Sequence, residues 1–321
     1  MSEVNAGAEA EAEATTGSRS AISVWMQAIR VRSLIISSVS VLVGGALAYY
    51  AGHFDALRLF LAWFSAVAVQ TGTNLTNVHY NYKTRGRGAA LDRVDPRGST
   101  VVVEQGLLTP AQVWSGALVA FAFGIASGIT LSWMAGWQLL VVGIVGTIAG
   151  YSYAGPPLRV AYLGLGVPIV FVFMGPAMVI GTYYAMAGSA AWSAILVSIS
   201  VGLLAAGILH INDIRDLETD TANHKHTLAT FFGRRGAAIL LAVSESIVYL
   251  TVIVGVAMRF LPWPTLITLV TVSRAIPQVR MALRETRQDM LHLAWVRGVQ
   301  LHLEFGVVMI LALVVSRLAR I

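Results

Sequence analysis

The 321-residue chain is 56% hydrophobic and only 12% charged, about half the roughly 25% charged share of an ordinary soluble domain. Its apolar stretches are long enough to cross roughly 30 Å of hydrocarbon at about 1.5 Å per helical residue, which excludes a soluble fold. There is no cysteine, so disulfide frameworks, thiolate nucleophiles and thiolate-held metals are excluded; the +6 formal charge sits beside apolar stretches, where anionic lipid and an anionic substrate are better partners than nucleic acid.

In chain order, residues 1–21 are small and acidic, with Glu9, Glu11 and Glu13. They lack the basic start of a signal peptide and are expected to be a disordered cytoplasmic tail. Residues 22–321 are expected to form one all-α membrane domain, a bundle of nine transmembrane helices around a lipid-accessible cavity. The apolar spans read as 34–51, 56–78, 112–133, 137–155, 164–187, 191–211, 236–257, 261–279 and 300–318. Longer polar loops fall at 79–111, 212–235 and 280–299. Pro262, Pro264, Arg274 and Pro277 interrupt the eighth span. With the N-terminus in the cytoplasm, only Arg58, Arg259, Arg317 and Arg320 of the 22 Lys and Arg residues fall outside. That asymmetry satisfies the positive-inside rule for an inner (plasma) membrane protein with cytoplasmic active-site loops.

The second and sixth spans both run out into Asn-rich polar sequence, at Asn74, Asn77 and Asn81 and at Asn212, as in a duplicated helical unit. The stretch after the sixth span carries most of the chemistry. Asp216 and Asp220 are four residues apart and share one face of a continuing helix, with Asn212 one turn earlier. Carboxylates and an amide oxygen are hard ligands suited to Mg²⁺, which usually binds together with substrate phosphates. Arg215 and Lys225 add positive charge for the same phosphate oxygens. The bland alternative is a solvated loop at the membrane surface.

Here the sequence resembles the UbiA-type intramembrane aromatic prenyltransferases. Their second motif, N-x-x-R-D-x-x-x-D followed by G-K-x-T-L, is matched by Asn212, Arg215, Asp216 and Asp220, then Lys225, Thr227 and Leu228. Only the Gly is replaced, by His224. The stretch Tyr151–Arg159, then Gly164–Gly166 and Phe173–Pro176, is most similar to the menaquinone-pathway dihydroxynaphthoate branch. So is Asp92–Arg97 ahead of Gly106. The family's first motif, N-x-x-x-D, keeps Asn77 but has Asn81 in place of Asp, and the acid that often follows Gly-Leu-Gly is Val167. An Asn carbonyl can ligate Mg²⁺ but adds no charge, so the first-motif metal is expected to bind more weakly; Asp92 and Asp95 are possible substitutes.

The resemblance implies transfer of an isoprenoid chain from a prenyl diphosphate donor to an aromatic acceptor, with Mg²⁺ as cofactor. It implies Asn77, Asn81, Asn212, Asp216 and Asp220 as metal ligands. Arg215, Lys225, Tyr151 and Tyr153 are expected in catalytic roles. Tyr151 and Tyr153 would face an allylic cation or else belong to the interfacial aromatic belt. Asn74, Asn77, His79, Arg93, Arg97 and Arg159 are expected to contact substrate. His224 and His226 flank Lys225 as a metal pair or as solvated side chains. Glu245, inside the seventh span, is functional or hydrogen-bonded to a neighbouring Ser. Gly44 and Gly45 are expected at helix contacts. A membrane terpene cyclase and a non-catalytic prenyl-lipid binder or transporter are the alternatives.

Overall fold

The computed structural model describes residues 20–85 and 99–321. Arg93, Arg97, Asp92, Asp95 and nearly all of the expected N-terminal tail lie outside the described residues. In chain order the helices are α1 (Ala21–Ala28), α2 (Val31–Ala51), α3 (Ala56–Arg85), the short α4 (Val101–Glu104), α5 (Pro110–Ala135) and α6 (Trp137–Ser152). Then follow α7 (Gly166–Ala187), α8 (Trp192–Arg215), α9 (Leu217–Ala222), α10 (Leu228–Ala257), α11 (Trp263–Arg284) and α12 (Gln288–Ala319). Among the described residues, seven helices are long and apolar enough to cross a membrane: α2, α5, α7, α8, α10, α11 and α12. The other two expected spans fall on α3 and α6. The 30-residue α3 turns polar at its end, and the 16-residue α6 is short. At about 1.5 Å per residue, α6 falls short of the roughly 30 Å core. It stops at Ser152 rather than at 155, because Tyr153–Arg159 turns through Gly155, Pro156 and Pro157.

The bundle closes through small residues, as expected at Gly44 and Gly45. A Cβ on Gly44 would lie 2.6 Å from the Val179 carbonyl oxygen, and one on Gly45 2.7 Å from Leu59. Gly175 on α7 meets Gly202 on α8 so closely that a Cβ would approach the Gly202 Cα to 2.7 Å. Beside that contact Phe173–Ala177 widens into a π turn around Pro176. The main core packs Val43, Leu47, Val197, Val201, Phe305 and Met309 from α2, α8 and α12.

The prolines of α11 leave a helix standing but change its winding. Trp263–Thr271 is a 3₁₀-helix, and Val272–Arg284 continues as an α-helix. Thr265, Thr268 and Thr271 are buried at three-residue spacing. Each hydroxyl donates to the carbonyl three residues earlier, at 2.7–2.8 Å. A three-residue period is the 3₁₀ repeat, so these threonines compensate the polar groups that the winding buries.

Candidate active site

At one end of the bundle four connections meet. Helix α8 carries its winding past the apolar span to Arg215, and Asp216 stands at the break before α9. The expected single helix is therefore interrupted at Asp216, yet the four-residue spacing survives, since the Asp220 amide donates to the Asp216 carbonyl at 2.7 Å. Arg215 grips Asp216 with two bonds of 2.7 Å. Lys225 donates to Asp220 at 2.8 Å and lies 3.8 Å from Asp213. Asp213, Asp216 and Asp220 thus form an i, i+3, i+7 face answered by two cations. Asp213 and Asp220 are buried, at 5% and 7% exposure.

Burial drives the Asp220 carboxyl above the usual carboxylate range against the pull of Lys225. Burial also works against the Lys225 ammonium, but Asp220 and Asp213 outweigh it and hold its pKa above the ordinary lysine value. Each partner favours the charged form of the other against burial.

The first polar stretch reaches this cluster through a tyrosine. Asn81 Nδ2 donates to Asn77 Oδ1 at 2.7 Å, and the Tyr162 hydroxyl donates to Asn81 Oδ1 at 3.3 Å. The Tyr162 carbonyl accepts from the His226 amide at 3.2 Å, and the Gly164 amide donates to the His226 carbonyl at 3.0 Å. Lys225 is thereby hung between the two halves of the site. Tyr153 lies within electrostatic reach of Arg30, Asp213, Asp220 and Lys225.

Arg30 lies within electrostatic reach of Tyr153 and Arg215. It sits at φ 56 in the break between α1 and α2, a left-handed conformation that costs a non-glycine residue roughly 1–2 kcal/mol. Asn74 holds that break. Its amide donates to the Ile29 carbonyl at 2.7 Å and to the Ser33 hydroxyl at 2.6 Å, on either side of Arg30. These bonds make it a clamp on the Arg30 backbone.

A second group is aromatic. Tyr151 and Tyr80 share a hydroxyl contact of 3.3 Å, and their rings gather around Trp114 at centroid distances of 5.8–6.4 Å. Arg159 lies within electrostatic reach of Tyr80. His79 joins this group. Its Nδ1 lies 3.0 Å from the Pro110 carbonyl, which can only accept, so Nδ1 carries the proton; its ring lies 5.2 Å from Trp114. The structure thus turns His79 toward α5. His226 stacks on Phe231, and among the described residues no group of three or more His, Cys, Asp and Glu side chains is placed to hold a metal. The oxygen set still fits a hard cation, because Asn212 Oδ1 is buried with no hydrogen-bond partner among the described residues.

The UbiA prenyltransferase family model matches residues 37–297. The chain belongs to that family. It is 32% identical over 230 residues to the 1,4-dihydroxy-2-naphthoate octaprenyltransferase of Bacillus subtilis, covering 72% of each chain. To the enzyme of the same name from Escherichia coli it is 31% identical over 219 residues, 66% of this chain and 70% of that one. Among solved structures, the UbiA homolog from Aeropyrum pernix aligns with a TM-score of 0.65 at 19% identity, over 88% of this chain and 98% of that one. The Archaeoglobus fulgidus homolog bound to DMAPP and Mg²⁺ aligns with a TM-score of 0.58 at 16% identity, over 89% and 98%. The protein is accordingly a multi-pass membrane prenyltransferase of the UbiA family.

Seen as a UbiA sequence, the departure at His224 has a backbone cause. This residue adopts φ 52, the left-handed region in which glycine is unstrained, so His224 carries strain where the family has Gly. Five further residues at the site, Arg30, Asp213, Tyr162, Tyr80 and Trp114, escaped the sequence reading. Asp213 was available from its i, i+3, i+7 relation to Asp216 and Asp220. Arg30 offered only its place at the start of a span, and Tyr162 offered none. Glu245 is buried, and of its two readings the bond to a neighbouring Ser is not found among the described residues. Among the described residues its Oε2 has no hydrogen-bond partner, and Ser244 and Ser246 donate to carbonyls of their own helix.

Proposed function

We propose that the protein transfers a prenyl chain from a prenyl diphosphate to a dihydroxynaphthoate-type aromatic acceptor, with Mg²⁺, at the cytoplasmic face of the inner (plasma) membrane. The observation that carries this reading is the Asp213–Asp216–Asp220 face with Arg215, Lys225 and Arg30 around it, at the mouth of an otherwise apolar bundle. Asn212, Asp216 and Asp220 are the oxygen donors for the metal, supplemented by Asn77 and Asn81. The bound metal supplies Lewis-acid neutralisation of the departing diphosphate.

The chain's own residues do the rest. Arg215 and Lys225, paired with carboxylates in this structure, are the cations that would hold diphosphate oxygens, and Arg30 would add a third charge. Three acids facing three bases leave the side chains near neutrality, so metal and polyanion are best accommodated together. Tyr151, Tyr80 and Trp114 offer π faces to an allylic cation, and the apolar bundle keeps water from capturing it. The identity to naphthoate octaprenyltransferases supports the acceptor class, and the arrangement of Lys and Arg under the positive-inside rule supports the orientation.

The test is to incubate purified protein in lipid with labelled prenyl diphosphate, Mg²⁺ and either dihydroxynaphthoate or hydroxybenzoate. Prenylated naphthoate is the expected product. A cyclised or hydrolysed isoprenoid with no acceptor adduct would overturn the transfer reading. Adducts only with hydroxybenzoate would overturn the acceptor.

A further inference from the structure

Arg215 is held by more than its carboxylate neighbour. Asp216 accepts from two of its guanidinium nitrogens, Nε and Nη2, each at 2.7 Å. The third, Nη1, lies 3.4 Å from Nδ1 of His292, 77 residues further along the chain in the second turn of α12. An arginine nitrogen can only donate, so Nδ1 accepts and the ring proton of His292 sits on Nε2. His292 and Trp295 stand three apart on one face of α12, and their rings stack with centroids 5.5 Å apart and planes 25° apart. The Arg32 guanidinium, in the first turn of α2, lies 5.4 Å from the centre of the Trp295 ring, a cation–π distance. Contacts thus run from α2 through α12 to the charged end of α8.

Asp216 by itself is a poor keeper of Arg215. It is also a proposed donor to the metal, so its two bonds to the guanidinium compete with that task. The His292 contact does not, because it engages the nitrogen that Asp216 leaves alone. An arginine side chain has much rotamer freedom to lose. A ligand that must first order it binds more weakly than one that finds it in place. An imidazole steadied by stacking on Trp295 supplies that order, as supporting groups do for binding residues in general.

We propose that His292 is a positioning residue for diphosphate binding: its Nδ1 keeps the Arg215 guanidinium in place, and Trp295 with Arg32 steadies the imidazole. The inference rests on the reading of Arg215 as a cation that holds diphosphate. Purified protein in lipid is titrated with a non-hydrolysable prenyl diphosphate analogue. His292→Phe keeps a ring to stack on Trp295 but has no acceptor, and its Kd should rise about 3–10-fold. His292→Asn carries an oxygen close to where Nδ1 stands and should recover most of that loss. KM for the prenyl diphosphate should rise with Kd, while kcat changes less. In an Arg215→Ala background, His292→Phe should have no further effect on Kd, since non-additivity marks residues that act through one another.

An unchanged Kd in His292→Phe would overturn the proposal, and so would the same loss of affinity with and without Arg215. A His292→Asn protein that binds as weakly as His292→Phe would overturn it too. If Arg215→Ala itself binds the analogue normally, the diphosphate lies elsewhere and the reading beneath the proposal falls with it. If Arg215→Ala binds weakly and His292→Phe normally, the proposal alone falls. Should His292→Phe fail to fold, His292→Gln decides the question, because its longer side chain carries the oxygen past the Nδ1 position and should bind the analogue as weakly.

Discussion

The two Asn-bearing ends of α3 and α8 start from similar sequence and arrive at different chemistry. After α8, three acids on one face are matched by Arg215 and Lys225. After α3, the corresponding positions are two neutral asparagines bonded to each other and to Tyr162. One half can hold charge; the other holds geometry. A site of this kind can share one metal task unequally, with affinity from the acidic half and position from the asparagine half. Each half can be altered alone to test that division.

The largest effect should come from the acidic half. Asp216→Ala or Asp220→Ala removes a ligand charge where metal catalysis contributes several kcal/mol, so turnover should fall by on the order of 10²-fold or more. Prenyl transfer by protein that still elutes as a folded species measures this, and near-normal turnover would mean that the acids hold no metal. The same half predicts a pH dependence. The Asp220 carboxyl, raised by burial, must lose its proton to bind a cation. The Mg²⁺ requirement should therefore rise as pH falls, beginning above the usual carboxylate range. A requirement that stays flat down to the ordinary aspartate pKa would contradict it.

Next come the cations of that half. Arg215→Ala and Lys225→Ala should each weaken prenyl diphosphate binding by roughly 1.5–3 kcal/mol, the value of a hydrogen bond to a charged group. Direct titration with a non-hydrolysable diphosphate analogue reads this out, and an unchanged Kd in both variants would place the diphosphate elsewhere.

In the asparagine half the effects should be smaller and of opposite sign. Asn81→Asp adds a negative charge beside the cation, worth on the order of 1 kcal/mol or more at an effective dielectric near 20. The Mg²⁺ concentration for half-maximal activity should fall. If that concentration holds while acceptor turnover drops, Asn81 serves the substrate instead.

The smallest effect belongs to the loop between the halves. His224→Gly relieves left-handed strain of about 1–2 kcal/mol but adds chain entropy in the unfolded state, so a net gain below about 1 kcal/mol is expected as a slight rise in Tm. A fall in Tm would show that the His224 side chain itself is needed.

Much of this was legible in the chain. Hydrophobic runs of transmembrane length, the Lys and Arg asymmetry and the Asn212–Asp220 spacing are local properties. They fixed an all-α membrane bundle and the acidic face before any packing was known. Even the winding of α11 was written in its three-residue threonine period, beside the prolines and Arg274 that interrupt the span.

What the tertiary structure decided lies in the approach of segments far apart in sequence. Arg30 reaches Tyr153 and Arg215 only because Asn74, on another helix, holds the break between α1 and α2. Asn81 meets the second motif only through Tyr162 and the backbone of His226. His79 joins Tyr80, Trp114 and Tyr151 rather than Asn77 and Asn81, because a helix advances about 100° per residue and sends positions two apart to nearly opposite faces. Periodicity assigns a residue to a face. Which partner covers that face is set by the packing of the whole bundle, and no local pattern encodes it.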